Sequence, residues 1–353
     1  MKRIDLRSDT VTLPSQAMRE AMHKAELGDD VFGEDPTVNR LQELAARRLG
    51  KEDALFVASG TMGNLVSLLT HCGRGHEAIV GDRSHMYRYE QGGMASLAGI
   101  HARVLANQPD GTLNLTEIEQ AINACDVHFA RTRLICLENT FAGRILKPSY
   151  TCQVAAVARR HQLKTHLDGA RLFNAAIALD CPVASLAAEF DSVQFCFSKG
   201  LAAPVGSMIC GSREFIAQAR RNRKLVGGGM RQAGVLAAAA IVALEEMVER
   251  LAEDHANARR LAEGLAEMPQ VDIDVSAVET NIIFFGLKDP GLDIKLFAQA
   301  LADEGLLVLP LGAGRMRAVT HFGIEREHID EALRVVERSL AAGRSGCLQT
   351  GTV

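Results

Sequence analysis

The sequence predicts an α/β protein with a large domain built on a mostly parallel sheet flanked by helices, and a smaller C-terminal α/β domain. From Glu52 to Cys210, short apolar runs of strand length alternate with helical patterns, which is typical of parallel sheets covered by helices. The chain has 353 residues. That is more than one simple core usually needs, and it favours two domains.

Composition and charge limit the classes of partner. The apolar content of 47% and charged content of 23% are ordinary for a soluble globular protein. The net charge of −4 argues against a nucleic-acid binder, and the densest basic cluster, residues 220–224, is interpreted as a solvated helix face. The start of the chain lacks the apolar core of a signal peptide, and no segment has the length of a membrane span. We therefore expect neither nucleic acid nor a membrane as a partner.

The eight cysteines show no CxxC pairing, and several fall in predicted apolar strands. This pattern is typical of reduced core thiols and argues against disulfides or a zinc site. On this basis we expect a cytoplasmic protein.

The first part of the chain is predicted to form a polar arm and then a series of strand–helix units. A helix is expected over residues 15–24, followed by a turn-rich loop at 28–38 in which Thr37 caps the next helix. A later loop is expected to present His85. The predicted strands of the large domain cover residues 54–58, 78–81, 134–137, 163–167, 191–197 and 207–210.

The second part of the chain is predicted to begin with one long helix from Ala233 to about Glu267, and the domain junction is placed inside it. The smaller domain is expected to contain strands at residues 273–275, 281–285, 306–309 and 317–321, with helices at 296–304 and 325–341. The predicted boundaries are an arm at 1–15, a large domain at 16–247, a small domain at 248–342 and a flexible tail at 343–353.

Residues with reactive or hydrogen-bonding side chains come just after five predicted strands. They are Ser59 to Thr61, His85, Glu138, Asp168 and Lys199. Loops at the carboxyl ends of parallel strands form the binding crevice of open α/β sheets. We therefore expect these residues to line one crevice.

Lys199 stands between Ser198 and Gly200 at the end of a strand predicted to be buried on both faces. A desolvated lysine amine has a lowered pKa and can form a Schiff base with a carbonyl such as that of pyridoxal phosphate. The side chain could equally leave the sheet into solvent, and this stretch alone does not decide between the two interpretations.

Other strand ends meet the needs of such a cofactor. Asp168 is a candidate partner for a protonated pyridine nitrogen, although with Gly169 it could form only a strand-ending turn. The turn Gly60-Thr61-Met62 before a helix offers amides to a phosphate, and it is not the GxGxxG pattern of nicotinamide dinucleotide sites. His85 could stack on the cofactor ring or have a purely structural role.

Two arginines are candidates for binding a substrate carboxylate, which a guanidinium holds best through two hydrogen bonds. Arg171 follows Asp168 by three residues, and Arg317 begins a strand of the small domain. Either arginine could form an ordinary surface ion pair instead.

Seven segments, read in order, are IDLRSDTVT, GDDVFGEDPTVNRL, SGTMGNL, HLDGARLFNA, FSKGLAAPVGS, KLVGGGMRQAG and RAVTHF. Together they resemble the low-specificity L-threonine aldolases, which have the aspartate-aminotransferase-like fold of pyridoxal phosphate enzymes (fold type I). The resemblance covers Ile4 to about His321, nearly the whole chain. It implies a seven-stranded, mostly parallel sheet in the large domain.

The resemblance implies a role for each matching residue. Lys199 would hold pyridoxal phosphate covalently, Asp168 would pair with its pyridinium, and His85 would stack on its ring. The implied phosphate ligands are Gly60, Thr61 and Met62, with Lys224 and Arg231 reaching the phosphate from a neighbouring subunit. The implied ligands of the substrate are Ser8, Arg171 and Arg317 at its carboxylate, Arg171 also lying beside the cofactor, and His128 near its β-hydroxyl.

The implied reaction is cleavage of L-threonine, L-allo-threonine or another L-β-hydroxy-α-amino acid to glycine and an aldehyde. His85 or His128, directly or through water, would take the β-hydroxyl proton, and no metal is required. The implied assembly is a homotetramer of dimers with shared active sites. Two alternatives stay open: another pyridoxal enzyme of this fold, either a β-eliminating lyase or a transaminase, and an inactive homologue that only binds the cofactor.

The sequence departs from the family pattern beside the expected site. Phe141-Ala142 replaces the His-Asn that usually follows LENT, and Phe32 stands where a tyrosine is usual. Our hypothesis is that the pocket is less polar and favours bulkier or aromatic β-hydroxy amino acids.

Overall fold

The computed structural model describes residues 3–289, 291–312 and 314–342. The chain forms two compact units. Residues 13–248 make up the large unit, and the residues up to 12 together with those from 249 onward make up the small unit. The tail predicted at residues 343–353 lies outside the described residues.

Strands occur in both units of the described chain. They are β1 (Ile4–Asp5), β2 (Asp53–Val57), β3 (His76–Gly81), β4 (His101–Leu105), β5 (Arg131–Glu138), β6 (Lys164–Asp168), β7 (Ser192–Cys196), β8 (Ser207–Gly211), β9 (Val271–Ile273), β10 (Ile282–Leu287), β11 (Leu306–Leu307), β12 (Leu309–Pro310) and β13 (Arg315–Val319).

Helices connect most of these strands. They are α1 (Gln16–Lys24), α2 (Pro36–Leu49), α3 (Gly60–His71), α4 (His85–Arg88), α5 (Gly93–Ser96), α6 (Leu115–Gln120), α7 (Pro148–Arg160), α8 (Leu172–Ala178), α9 (Val183–Ala187), α10 (Arg213–Leu225), α11 (Gly234–Glu246), α12 (Leu251–Ala266), α13 (Ile294–Asp303) and α14 (Arg326–Ala342), with 3-10 turns at Asp9–Val11 and Val275–Ala277.

The large unit is built on a seven-stranded sheet with the order β2-β8-β7-β6-β5-β3-β4. Neighbouring strands are parallel except at β8, which is antiparallel to both β2 and β7. Every residue of β7 and β8 is buried, as expected for strands covered by helices on both faces. The predicted mostly parallel α/β fold is confirmed.

The apolar runs of the sequence do not predict β4, which lies at one edge of the sheet. Its sequence, HARVL, alternates between polar and apolar residues, and none of the five is fully buried. An edge strand of this kind lacks the continuous apolar signal of the central strands.

The helix α2 is capped by Asp35, which corrects the prediction of Thr37. One Asp35 carboxylate oxygen, Oδ1, accepts hydrogen bonds from the amides of Thr37 (3.1 Å) and Val38 (3.0 Å). Pro36 occupies the first helical position, where its lack of an N–H costs nothing. The Thr37 hydroxyl instead donates to the carbonyl oxygen of Glu26 at 2.7 Å.

The long helix predicted over residues 233–267 is wrong, because the chain forms the two helices α11 and α12. Residues 247–250 interrupt them, and the boundary between the two units follows Val248. No glycine or proline marks this break, so the sequence carries none of the usual signals that end a helix.

The small unit contains an antiparallel sheet of order β12-β13-β10-β9 and a parallel pair of β1 with β11. The single strand predicted at residues 306–309 is two short strands, because Leu306–Leu307 pairs with β1 whereas Leu309–Pro310 pairs with β13. Ile4 and Leu6 are buried in the core of this unit. The start of the chain is therefore held by main-chain pairing and by apolar burial.

The helices and the cysteines can be compared with the expectations from composition. Within the described residues, no helix combines the length and apolar character needed to cross a bilayer. The seven cysteines that the structure describes are all free thiols.

Candidate active site

The candidate site lies where β5, β6 and β7 end in the large unit. The strand register places Glu138 beside Asp168, and Asp168 beside Gln194. The chain continues from β7 into the turn that carries Lys199. Because these strands are parallel neighbours, their last residues meet at one edge of the sheet.

Asp168 is a buried carboxylate with three neutral hydrogen-bond donors. It is 2% exposed. Its Oδ2 accepts a hydrogen bond from Asn64 Nδ2 at 2.8 Å, and its Oδ1 accepts from Gln194 Nε2 at 3.0 Å and from the Ala170 amide at 3.1 Å. A buried carboxylate normally requires a cation or a metal as well. Asp168 is therefore suited to receive a positively charged group.

His85 is fixed at its backbone and at its ring. The prediction of a loop here is corrected, because His85 begins the short helix α4. Its amide donates to Glu138 Oε2 at 2.7 Å, and its Nδ1 lies 2.9 Å from Glu90 Oε1. The hydrogen bond that the His85 ring donates to Glu90 raises the pKa of His85 against the effect of burial, and the charges of Asp168 and Glu90 also raise it.

Asn64 joins the two carboxylates of the site. Its Nδ2 donates at 2.8 Å to Asp168 Oδ2 and at 2.8 Å to Glu90 Oε1. Burial raises the pKa of Glu90, and the hydrogen bonds from His85 and Asn64 oppose that shift. The Asn64 side chain, on α3, therefore links the position of Asp168 to that of the Glu90–His85 pair.

Among the described residues, His85, Glu90 and Asp168 are also the group whose potential metal-ligating atoms lie within 4.8 Å of one another. The hydrogen bonds from Asn64 to both carboxylates, and from His85 to Glu90, account for this proximity. The cluster therefore needs no metal ion to explain its geometry.

Glu138 and Lys199 complete the electrostatics of this edge. Burial, followed by the charge of Asp168, raises the pKa of Glu138 to about 8, while the amide and charge of His85 and the charge of Lys199 oppose the shift. The Lys199 charge also lowers the pKa of His85. The half-buried lysine is thus close enough to act on both groups. Its carbonyl accepts a hydrogen bond from the Ala202 amide at 2.8 Å, which closes the turn.

The N-terminus of α3 forms a second part of the site. Ser59 caps this twelve-residue helix through the Met62 amide at 3.2 Å. The first amides of a helix have no intrahelical acceptor, and the helix dipole favours an anion beside them. With the Met62 amide taken by the cap, the amides of Gly60 and Thr61 are available to a phosphate.

Two glycines allow α3 to lie directly on β7. A Cβ atom added at Gly60 would meet Cys196 Sγ at 2.9 Å, and one added at Gly63 would meet Gln194 Cγ at 2.6 Å. Gln194 is the residue that donates to Asp168. Close helix–sheet packing therefore links the phosphate-type turn to the carboxylate.

The predicted carboxylate ligands fall in both units. Arg171 stands at the N-terminal boundary of α8, three residues after Asp168. In the small unit, Arg317 lies on β13 and its Nη2 donates to the carbonyl oxygen of Arg7 at 3.1 Å. That carbonyl immediately precedes Ser8, whose hydroxyl accepts from the Thr10 amide at 3.2 Å. Within the small unit, Ser8 and Arg317 are therefore neighbours.

Three of the predicted site residues make their described contacts away from the cluster of His85, Glu90 and Asp168, which we call the Asp168 cluster. The His128 side chain is 81% exposed, and its Nδ1 lies 2.7 Å from Asp126 Oδ1. Arg231 is paired with Asp29 of its own chain at 3.0 Å. Lys224 is exposed on the last turn of α10. Their predicted roles stay predictions.

The departure from the family pattern at Phe141 has a local structural explanation. Phe141 is buried, and a Cβ atom added at Gly111 would meet its Cβ at 2.7 Å. The Arg83 guanidinium carbon lies 5.3 Å from the centre of its ring. The ring is thus enclosed by the segment containing Gly111 and by Arg83, whereas Phe32 is 75% exposed.

Four residues of the site have no role in the predictions from sequence: Asn64, Glu90, Gln194 and His166. A signal existed for Gln194, which stands between the apolar residues Val193 and Phe195, whereas His166 lies in the mostly polar run KTHLD. Nothing in the sequence marks Glu90, which reaches His85 only because α4 turns the chain back.

The profile of the β-eliminating lyase family matches residues 5–288. Low-specificity L-threonine aldolase 1 of Arabidopsis thaliana is 49% identical over 347 residues, covering 96% of this chain and 97% of the relative. The low specificity L-threonine aldolase of Escherichia coli (strain K12) is 46% identical over 330 residues, covering 93% and 96%.

A solved structure supports the same fold. The threonine aldolase of Leishmania major superimposes with a TM-score of 0.82 at 21% identity, covering 95% of this chain and 99% of that one.

Proposed function

The chain belongs to the family of the β-eliminating lyases and low-specificity L-threonine aldolases, and we propose that it cleaves L-threonine and related L-β-hydroxy-α-amino acids to glycine and an aldehyde. The observation that carries this proposal is the buried Asp168 carboxylate, which accepts hydrogen bonds from Asn64 and Gln194 and lies on the strand next to the one that leads to Lys199.

The residues of the large unit fit pyridoxal phosphate. Lys199 would hold it, Asp168 would accept its protonated pyridine nitrogen, and the amides of Gly60 and Thr61, beside Met62, would receive its phosphate. When bound, this cofactor supplies an electron sink for the carbanion left when the Cα–Cβ bond breaks.

The carboxylate of the amino acid would be held by Arg171 and by Arg317 with Ser8. A guanidinium binds a carboxylate through two parallel hydrogen bonds and so fixes its orientation. Fixing the carboxylate fixes the rotation about Cα, and this selects which bond of Cα is aligned for cleavage. The choice of Cα–Cβ cleavage would therefore rest on these three residues.

A base must take the proton of the β-hydroxyl as the Cα–Cβ bond breaks. His85 is the candidate in the Asp168 cluster, and Glu90 holds its ring through Nδ1, which leaves Nε2 to act directly or through a water molecule. His128 is the second candidate on the strength of the resemblance. Cleavage of threonine then gives acetaldehyde and glycine, and the proton taken from the hydroxyl balances the one that Cα gains.

The assembly and location complete the proposal. Lys224 and Arg231 would reach the phosphate of a neighbouring subunit in a homotetramer built from dimers. The free thiols of the described cysteines support a reducing, cytoplasmic setting.

Product analysis tests the function. The holoenzyme is incubated with L-threonine and with L-allo-threonine, without a keto acid, and glycine and acetaldehyde are expected in equal amounts. Release of 2-oxobutanoate and ammonia would identify an eliminating lyase, and a requirement for a keto acid would identify a transaminase. No turnover would indicate an inactive homologue. Phenylserine in the same assay tests the less polar pocket, which a strong preference for threonine would contradict.

A further inference from the structure

A row of buried polar side chains lies behind Asp168 and takes no part in the mechanism above. His166 and Ser192 are both fully buried and are paired in the register of β6 and β7. Each stands two residues before a residue of the Asp168 site, so each points to the same face of the sheet as that residue. His166 precedes Asp168, and Ser192 precedes Gln194.

These side chains form an unbroken chain of hydrogen bonds. His71 Nε2 lies 2.7 Å from Ser192 Oγ, Ser192 Oγ lies 2.8 Å from His166 Nδ1, and His166 Nε2 lies 3.2 Å from Asn64 Oδ1. Asn64 then donates to Asp168 and Glu90. The chain starts at the end of α3, where the His71 ring stacks on Phe215 with a centroid distance of 4.5 Å.

The direction of this chain follows from what each group can donate. Carboxylates only accept, so the amide nitrogen of Asn64 must face Asp168 and Glu90, and its oxygen must face His166. His166 therefore carries its proton on Nε2. Burial lowers the pKa of His166 to about 3, although the charge of Asp168 and a hydrogen bond with the Ser192 backbone act in the opposite direction. With its one proton on Nε2, the neutral ring accepts from the Ser192 hydroxyl at Nδ1.

The outermost bond is fixed in the same way. The Ser192 hydroxyl proton is used toward His166, so Ser192 Oγ accepts from His71 Nε2–H. Burial lowers the pKa of His71 to about 4, and this ring is neutral as well. From His71 through Ser192, His166 and Asn64 to the carboxylates, each group therefore donates a hydrogen bond to the next.

We propose that the chain His71–Ser192–His166–Asn64 is a positioning device that keeps the amide nitrogen of Asn64 turned toward Asp168 and Glu90. His166 and Ser192 are positioning residues that act through Asn64. If the amide turned over, its oxygen would face two carboxylates, and both would lose the hydrogen bond from Asn64. The consequence for the reaction rests on the proposed function, in which Asp168 receives the pyridine nitrogen of the cofactor and Glu90 holds His85.

Ser192→Ala is the variant that breaks the chain with the least change in volume. Without the hydroxyl, His166 Nδ1 loses its donor, so the tautomer that donates to Asn64 from Nε2 is favoured less and the orientation of Asn64 is held less firmly. A matched control is Ser67→Ala, because Ser67 is also fully buried, in α3, and its hydroxyl is without a partner among the described residues. His166→Gln, which can still donate to Asn64, is compared with His166→Leu, which cannot.

The first measurement is the tautomer itself. Histidine ¹⁵N NMR of the holoenzyme is expected to show a His166 ring with a protonated Nε2 and an unprotonated Nδ1, unchanged from pH 6 to pH 9. Ser192→Ala should give a mixture of tautomers, and Ser67→Ala should not. A wild-type His166 protonated on Nδ1 or on both nitrogens would overturn the proposal.

The second measurement is the effect on the site. In Ser192→Ala, kcat is expected to fall about tenfold, the effect of losing the hydrogen bond from Asn64 to a carboxylate at the other end of the chain, while KM changes little. The pH midpoint of the visible band of the bound cofactor should rise, because a less firmly held Asp168 stabilises the pyridinium charge less. Ser67→Ala should leave both unchanged, and His166→Gln should retain more activity than His166→Leu.

The positioning role of the hydrogen-bond chain and the proposed aldolase function can be contradicted separately. If Ser192→Ala matches Ser67→Ala in tautomer, spectrum and kcat while the wild-type protein still makes glycine, the positioning chain is wrong and the proposed function stands. If the wild-type protein makes no glycine but the tautomer and the spectral midpoint respond as expected, the chain stands and the proposed reaction is wrong.

Discussion

At the scale of single residues, the site depends on charges held in a buried environment. Asp168 is a buried carboxylate with three neutral donors, and a carboxylate anion can pair with a cation such as a protonated pyridine. His85 and Glu90 form a second unit whose pKa values depend on each other.

Replacing Asp168 by asparagine is expected to lower kcat by about 10²-fold to 10³-fold, the usual cost of losing a preorganised electrostatic partner of the reacting group. The neutral amide cannot keep a pyridine nitrogen protonated, and its NH₂ group would face the donors Asn64 and Gln194. Steady-state kinetics on the holoenzyme checks this. Asp180→Asn, the same change at an exposed turn, serves as the control, and an Asp168→Asn enzyme as active as that control would contradict the role.

Replacing Glu90 by glutamine is expected to move the acid limb of the pH profile of kcat/KM to lower pH. The hydrogen bond that His85 donates to the Glu90 carboxylate is the largest influence that raises the pKa of His85. Its loss lowers that pKa, so the neutral base persists at lower pH. Asp126→Asn, the same change beside His128, should leave the limb in place. Movement in Asp126→Asn alone would assign the base to His128 instead.

The same pair makes stability depend on pH. The folded pKa of His85 is raised, so its contribution to stability is complete below the unfolded imidazole pKa. That contribution is lost as pH rises through the raised folded value.

At the scale of elements, the site is assembled by the contact between α3 and the sheet. The helix presents Gly60 and Thr61 at its start and Asn64 one turn later, so a single element supplies both the phosphate-type turn and the link between Asp168 and Glu90. This arrangement requires the helix to approach β7 without intervening side chains.

Gly63→Ala is expected to destabilise the protein by about 1–3 kcal/mol, the usual cost of overpacking a closely packed core. The added methyl would meet Gln194 Cγ at 2.6 Å and displace the side chain that donates to Asp168. Thermal unfolding of the apoenzyme measures the change. In Gly93→Ala the added methyl meets nothing within 4 Å, so that control should be neutral or slightly more stable. Equal melting temperatures for the two variants would refute the packing argument.

The central strands and their functional ends were predictable from sequence because burial on both faces leaves a continuous apolar run. Asp168 and Lys199 stand out where such runs stop. The edge strand β4 carries no such run, and the break after α11 has no glycine or proline. Glu90 was not predictable, since its contact with His85 depends on the turn made by α4. Gln194 was within reach, as a polar residue inside a buried strand.

At the scale of the whole molecule, the proposal requires subunits that share active sites. In the present chain Arg231 is bound to Asp29, and Lys224 is exposed. The contacts of these two residues therefore give no sign that they bind a phosphate in their own subunit.

Mixing two inactive variants tests this sharing. Lys199→Ala lacks the cofactor tether, and the double variant Lys224→Ala, Arg231→Ala lacks the proposed phosphate ligands of the neighbour. After dissociation and reassembly of an equal mixture, about one quarter of the sites should combine an intact Lys199 with an intact Arg231 from the other chain. Activity should then appear in the mixture and in neither parent. A mixture as inactive as its parents would show that these residues do not serve a neighbouring site.

The central claim is that Lys199 holds the cofactor at the edge formed by Asp168 and Glu138, and that carbon–carbon cleavage takes place there. The most direct measurement follows the visible cofactor band and glycine formation from L-threonine in the same preparations of wild-type protein and Lys199→Ala. The wild-type protein is expected to show both, and the variant is expected to lose the band and at least about 10³-fold in kcat. Glycine formation by Lys199→Ala at the wild-type rate would contradict the account.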